Sequence, residues 1–431
     1  MNRGSRNALL AGLVLVAFAL AAYKIFSRPP HSVFASPAVV ALPKAQAPSP
    51  ASVVFQSQFV SSVPGQAVHA PSVVELSDGS LRAVWFSGSR EGAGDVTIQT
   101  AVFDKNSRQW GPEARVFGRD ELQHGLWRYV KKIGNPVIAR APDGSIHLWM
   151  VNVSLGGWAG SAITWARSLD EGLSWSTPRR LVTSPFLNIS TLVKAAPVAM
   201  TQGQISLSVY HEFITKFAEV LRIDADGRVL DKVRIPGSQT SLQPVVLASS
   251  AQTAQALMRA TQGGQVISST TQDAGLTWAK AAAISVPNPN SAVAGVVLHD
   301  GARWLALNPT TNGREKLALL DLDGAFSGLM VVEPANLNKA QARPLSINDH
   351  AAELGAELRA NGATERQIEA YVASAQRQLC NGSRCAQEFS YPFLLQSSDG
   401  TLHLLYTWHR SRIKHVRLEN FSTSGKQVTP Q

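Results

Sequence analysis

The chain has 431 residues, of which 45% are apolar and 16% charged, and it carries a formal net charge of +10. That balance supplies a folded core and excludes a disordered chain. The positive charge attracts polyanions of any kind, but there is no recognition helix, zinc-finger spacing or basic run, so nucleic acid is not an expected partner.

At the N-terminus, Arg3 and Arg6 precede an uncharged apolar run from Ala8 to Ala22. The run is short for a membrane span, which needs about 20 residues, and it has the form of a signal-peptide core. Ala19, Ala21 and Ala22 permit cleavage, whereas Tyr23, Lys24, Ile25 and Phe26 leave an uncleaved anchor open. Residues 1–27 are therefore expected to be a signal peptide or membrane anchor. The rest of the chain would be exported: periplasmic, or tethered to the membrane outside the cytoplasm. Residues 28–52 are rich in Pro, Ala and Ser and read as a semi-stiff linker.

From residue 53 to 422 one pattern recurs: Pro, an apolar strand, Asp-Gly, and a second strand. The clearest copies are Pro71 to Asp78-Gly79, Pro136 to Asp143-Gly144, and Pro392 to Asp399-Gly400, all with the same spacing. Asp-Gly suits a tight hairpin because Gly accepts positive φ, and Pro at a strand start loses no ladder bond. Looser copies begin at Pro197, Pro244 and Val293, so the starts fall at 71, 136, 197, 244, 293 and 392. Spacing of roughly 40–50 residues is that of a four-stranded propeller blade. The expected fold is all-β, a six-bladed β-propeller.

The last interval is long by about one blade. Within it Ile368, Tyr371, Val372, Ala375 and Leu379 share one helical face, and Thr364 with Gln367 forms a capping box. A helical hairpin inserted in the fifth blade, over about residues 337–386, is expected. A seventh blade is the alternative, opposed by the Ala-rich helix formers. Cys380 and Cys385 enclose Asn-Gly-Ser-Arg. An exported chain meets oxidising conditions, so these two are expected to form a disulfide. Two thiolates alone make a poor zinc site, and no metal or cofactor is expected.

Two further segments are near copies: Ser168-Leu-Asp170-Glu-Gly172-Leu-Ser174-Trp175 and Thr271-Gln-Asp273-Ala-Gly275-Leu-Thr277-Trp278. The carboxylate accepts turn N–H bonds, Gly makes the turn, and Trp packs between blades. These segments resemble the Asp-boxes (BNR repeats) of the sialidase, or neuraminidase, superfamily. In that family they are structural turns away from the active site, as Asp170 and Asp273 are expected to be. Asn288-Pro-Asn-Ser291, Ser390-Tyr-Pro392 and Tyr406-Thr-Trp-His-Arg-Ser-Arg-Ile-Lys-His415 resemble a bacterial and plant sialidase-like branch.

The resemblance implies a pocket in which arginines hold a substrate carboxylate, a Tyr activated by a Glu is the nucleophile, and an Asp is the acid/base. Tyr391 matches the nucleophile, Arg259 and Arg314 the second and third arginines, and Asp95 or Glu91 the acid/base loop that also carries Arg90. Two positions depart from the pattern. His69 stands where the first arginine would be, and Gln243 where the activating Glu would be; a neutral amide is no base. Glu212 is a candidate substitute.

If the blade reading holds, His69, Asn135, Lys194, Gln243, Asn290 and Tyr391 face one axis and line a substrate site. Otherwise they cap strand ends and hold water. Arg410, Lys414 and His415 read as a basic strand edge. The implied activity is hydrolysis of a terminal acidic sugar from a glycan by a glycosidase of sialidase type. A non-catalytic glycan-binding propeller, or a lyase acting on a uronate polysaccharide, are the alternatives.

Overall fold

Pro71, Pro136 and Pro392 lie inside their strands rather than at the expected starts, and these strands fold back on their successors through Asp-Gly turns. Gly79 adopts φ +85°, a left-handed value that favours glycine. The preceding Asp78 carboxylate accepts from the Ser80 N–H at 2.8 Å, as Asp143 does from Ser145 at 3.0 Å and Asp399 from Thr401 at 2.9 Å. The carboxylates thus hold the turns from the side-chain end.

The computed structural model describes residues 3–26, 32–35, 54–184, 188–324, 329–334, 344–419 and 421. Among them the hairpins build six antiparallel sheets of four or five strands and one small three-stranded sheet. The first sheet holds Ala67–Glu75, Leu81–Gly88 and Thr97–Asp104 with two short outer strands. The second holds Lys132–Arg140, Ile146–Val153, Ser161–Ser168 and Arg179–Arg180. In the third, the first strand is broken into Leu192–Val193 and Val198–Ala199, both paired to Ile205–Glu212, with Lys216–Ile223 and Val229–Arg234 beyond. The fourth contains Ser241–Ala248, Ala254–Ala260, Gly264–Thr271 and Ala282–Asn288. The fifth contains Ala294–Val297, Arg303–Leu307, Leu317–Asp321 and Leu329–Glu333.

The sixth sheet is composite. Phe389–Gln396, Leu402–Trp408 and Arg412–Glu419 are completed by Val54–Phe59 from the other end of the chain, in register from Val54↔Glu419 to Phe59↔Lys414. The pairing covers an edge that Arg412–Glu419 would otherwise expose.

Apolar side chains fill the space between neighbouring sheets. Val84, Phe86 and Ile98 of the first sheet meet Ile138, Leu148 and Met150 of the second, all fully buried. Each such side chain contributes about 1.5–3 kcal/mol. The two Asp-box turns are built alike. Asp170 accepts from Ser174 N–H at 2.8 Å and Asp273 from Thr277 N–H at 2.9 Å, while the Ser168 and Thr271 hydroxyls accept from Gly172 and Gly275. Trp278 is buried behind its turn.

The helical pair, Ile347–Ala360 and Glu365–Leu379, follows the last strand of the fifth sheet and precedes the sixth, so it lies in the connection rather than inside the fifth sheet. The Ser346 hydroxyl caps the first helix by accepting from Asp349 N–H, and Thr364 with Gln367 forms a capping box on the second. Ile368, Tyr371 and Ala375 pack against Leu354 and Leu358. Tyr371 Oη donates to Ser62 O at 2.6 Å and Ser374 Oγ to Gln66 O at 2.8 Å. The pair thus also grips the segment that leads into the first sheet. Cys380 and Cys385 face each other on the small sheet and are joined as a disulfide.

Two N-terminal expectations change. Arg3–Phe26 is helical, with Leu9, Leu13 and Phe18 exposed. No helix among the described residues is long and apolar enough to cross a membrane, so the tether expectation gains no support. Most of the expected linker lies outside the described residues, as do the expected bounds at 53, 337 and 422. Ser32–Ala35 is not linker-like: Phe34 is 1% exposed and its N–H donates to Ala251 O at 2.9 Å. An apolar ring with a place to bury outweighs the stiffness of the flanking prolines.

Candidate functional site

The inner strands of four sheets carry the same irregularity. Their register slips between His69 and Ser72, Gly134 and Val137, Leu242 and Val245, and Ser390 and Phe393. In each, a proline sits in the bulge, where its missing N–H costs no ladder bond. The residue before it is left-handed: Ala70 at φ 56°, Asn135 at 42°, Gln243 at 53° and Tyr391 at 54°. Asn290, after Pro289, joins them at 55°. Such a backbone costs about 1–3 kcal/mol per non-glycine residue and concentrates at functional sites. A bulge re-aims the side chain it carries.

These side chains meet. Gln243 Nε2 donates to Tyr391 Oη at 2.9 Å. Arg259, near the end of Ala254–Ala260, donates from Nη1 to Gln243 Oε1 at 3.0 Å and from Nε to Asn290 Oδ1 at 2.6 Å. Arg314 Nη2 donates to the Asn290 carbonyl at 3.1 Å, and its Nη1 pairs with Glu388 Oε1 at 3.2 Å. Arg410 Nε donates to both Glu388 oxygens at 3.1 Å, and its Nη1 pairs with Glu91 at 3.2 Å. The His69 ring lies 4.1 Å from that of Tyr391, and Lys194 Nζ lies 5.8 Å from the same ring while donating to Pro392 O. Asn135 Nδ2 donates to Tyr210 Oη at 3.3 Å.

Burial sets the charges. Lys194 is 3% exposed, and desolvation lowers its pKa from 10.5 to about 7. Burial, then the Arg410 charge, push His69 well below its ordinary 6.5, so the ring is neutral; neither nitrogen has a hydrogen-bond partner among the described residues. Burial alone would raise Glu388, but Arg410 and Arg314 overcome it and hold the carboxyl at about 2. Tyr210 is raised well above 10 by burial and then by the nearby Tyr391 and Glu212, so its hydroxyl stays protonated. Arg314 and Arg410 face carboxylates. Arg259 is held by two amide oxygens, and among the described residues no carboxylate pairs with it. The arrangement can accept an anion beside Tyr391.

Of the residues expected from sequence, Tyr391, Gln243, Arg259, Asn290 and Arg314 form one bonded network, Glu91 extends it through Arg410, and His69 and Lys194 pack on Tyr391. Asn135 contacts Tyr210. Three do not join. Glu212 pairs with Lys216 at 3.3 Å, not with Tyr391. Asp95 accepts from Ser89 N–H and Oγ at 3.0 Å on an exposed loop, and Arg90 is exposed on the same loop.

Sequence reasoning missed Glu388, Tyr210 and Arg410. Arg410 is not on a strand edge: His409 and Arg410 are both left-handed, at 46° and 53°, and this tight turn folds the guanidinium back on Glu388. Lys414 is not an edge residue either; it is buried against Glu333 at 2.5 Å and against Glu357, and His415 is fully buried. Tyr210 was signalled by strand alternation, which places it on the same face as Glu212. Glu388 was signalled only by its closeness to Tyr391.

A cleft of about 320 Å³ lies elsewhere, lined by Ser249, Thr253, Gln255 and Arg303 at the far ends of the fourth and fifth sheets. Arg303 is paired there with Asp323 at 2.6 Å, and the cleft gathers no comparable set of groups.

Comparison with known proteins places this architecture. A BNR repeat-like domain model matches residues 79–404. A Hadza microbial sialidase aligns with a TM-score of 0.57 at 16% identity over 81% of this chain, which spans 65% of that protein's length. A protein of unknown function from Dyadobacter fermentans aligns with a TM-score of 0.60 at 13% identity over 86% of this chain and 99% of the other. The NanB sialidase of Streptococcus pneumoniae aligns with a TM-score of 0.57 at 11% identity over 85% of this chain and 70% of the other. At such identities the likeness is one of fold. No curated protein matches the chain by sequence. The fold is mostly β and propeller-like, like that of these sialidases, and the chain belongs to the BNR repeat-like domain family.

Proposed function

We propose that this is a glycan-active protein that binds the carboxylate of an acidic sugar at Arg259, Arg314 and Arg410 and hydrolyses its glycosidic bond, with Tyr391 as nucleophile. The six sheets would be the blades of one propeller, and the pocket its centre. The observation that carries the reading is Arg259: a guanidinium held by neutral amides, one residue away from the Tyr391 hydroxyl through Gln243. A guanidinium fork suits a carboxylate, and a tyrosine nucleophile is a recognised departure from the two-carboxylate scheme. Lys194, its pKa lowered to about 7 by burial, sets a cation against the Tyr391 ring when protonated. The proton for the leaving oxygen would come from the loop that carries Asp95 and Glu91, of which Glu91 reaches the network through Arg410. The basic start and apolar run of the N-terminal helix support export.

Gln243 favours a second reading, a glycan-binding module without turnover, because its amide donates to Tyr391 and cannot take the phenol proton. Incubation with sialylated glycans and with uronate polysaccharides separates the readings. Hydrolysis predicts free acidic sugar, reduced about 10²-fold or more in Tyr391→Phe. Binding alone predicts retention without product. An ultraviolet-absorbing unsaturated product would instead indicate a lyase and end the hydrolase proposal.

A further inference from the structure

The base of the helical pair holds a second group of reactive side chains. Two thiolates are too few for a zinc site, but the fold supplies a third donor. His350, on the first helix of the pair, is 0% exposed, and neither of its ring nitrogens has a hydrogen-bond partner among the described residues. One ligand atom from each of His350, Cys380 and Cys385 lies within 4.8 Å of the other two. Two ligands of one tetrahedral zinc ion stand roughly 3.7 Å apart, from bonds of about 2.0–2.3 Å. The two Sγ atoms, bonded to each other in the disulfide, must therefore part by roughly 2 Å to reach that spacing, and His350 must close by up to about 1 Å.

The neighbouring His409 ring, 5.6 Å away and edge-on, is engaged elsewhere: its Nδ1 accepts from Glu388 N–H at 3.4 Å. A buried imidazole nitrogen without a partner is unfavourable. A cation among these three residues would give one of the His350 nitrogens a partner; the disulfide gives neither one.

We propose that, once the disulfide is reduced, Cys380, Cys385 and His350 bind zinc or a similarly thiophilic divalent cation. Disulfide and cation would then be alternative clasps for the base of the helical pair. A dithiol reductant delivers two electrons and two protons to the Sγ–Sγ bond and itself becomes a disulfide. The two resulting thiols each release a proton as sulfur bonds to the cation. His350 contributes the lone pair of one nitrogen and keeps the proton on the other, and water completes the shell. The two clasps differ in what they hold. The disulfide joins only facing positions of one hairpin, Cys380↔Cys385. The cation would also bond that hairpin to the first helix.

The test uses the full chain, reduced under nitrogen with a phosphine, which takes up oxygen from water as it gives two electrons, and then freed of excess reagent. Cobalt(II) is titrated as the probe, followed by zinc in competition. The proposal predicts one cobalt per reduced chain, with thiolate-to-cobalt charge transfer and strong tetrahedral bands, and displacement by zinc. The oxidised chain and Cys385→Ser should bind at least about 100-fold more weakly, and His350→Ala about tenfold more weakly or worse, with its near-ultraviolet circular dichroism and its disulfide preserved. No cobalt bands in the reduced chain, equal binding by the oxidised chain, or full affinity in His350→Ala would overturn it. So would loss of the native near-ultraviolet signal on reduction, because the three donors would then no longer be gathered.

Discussion

Gln243 donates its amide to the Tyr391 hydroxyl at 2.9 Å and, through the same amide's oxygen, accepts from Arg259 at 3.0 Å. The residue that orients the proposed nucleophile is thus also the one that leaves it without a base. Gln243→Glu should place a carboxylate at that hydroxyl and raise glycoside release by about 10²-fold, the usual worth of a positioned general base. Steady-state kinetics on a sialylated substrate checks this. A variant that folds and binds but turns over no faster would show that Tyr391 is not the attacking group.

Lys194 sits against the same ring with its pKa lowered to about 7 by burial. Below that pH it is charged and favours a bound anion; above it the charge is lost. Affinity for an acidic sugar should therefore fall as pH rises through about 7, and Lys194→Met should flatten the profile. Calorimetric titration at about pH 6 and about pH 8 decides it; identical profiles would remove Lys194 from the site.

Glu388 joins Arg314 to Arg410 from a buried position. Glu388→Ala leaves guanidinium charge without its partner and should cost about 3 kcal/mol of stability at neutral pH. The carboxyl is held at about 2 against an ordinary 4.5. A depressed carboxylate stabilises the fold above its unfolded pKa, and that contribution is lost as pH falls from about 4.5 toward 2. Urea melts should show the wild-type advantage shrinking through that window. An advantage independent of pH would contradict the assignment.

A polar chain runs through the seam between the sixth and first sheets. Trp110 Nε1–H can only donate, so His415 Nδ1 accepts at 3.1 Å and its Nε2–H donates to His403 Nδ1 at 3.0 Å. His403 Nε2–H then donates to Ser397 Oγ at 2.9 Å, and Ser397 to Asp399 at 2.6 Å. Both imidazoles must be neutral, in keeping with a His403 pKa lowered by burial from 6.5 to about 4. The unfolded chain takes up the proton first, so stability should fall as pH drops from about 6.5 to about 4. His415→Phe should be less stable than wild type at about pH 7 and approach it near pH 5, as read from urea midpoints. A constant difference would mean that the chain carries no such proton order.

Much of the fold was legible because it repeats. Pro71, Pro136, Pro244 and Pro392 mark inner strands, and Asp78, Asp143 and Asp399 mark their turns, since each motif acts within a few residues. The left-handed backbone at Asn135, Gln243 and Tyr391 was hidden, because a bulge is set by the partner strand. Arg410 and Glu388 escaped for a related reason: in the sequence both read as strand flanks, and only the turn at His409 brings them together. Phe34 was hidden by its setting, since a proline-rich stretch gives no sign that one ring has a cavity waiting across the molecule.

The central claim is that these arginines receive a carboxylate. Calorimetric titration with an acidic sugar and with the same sugar reduced to its alcohol tests it most directly. The account predicts that the acid binds at least about tenfold more tightly, and that Arg259→Ala removes the preference while retaining the native fold. Equal affinity for the acid and the alcohol in the wild-type chain would contradict it.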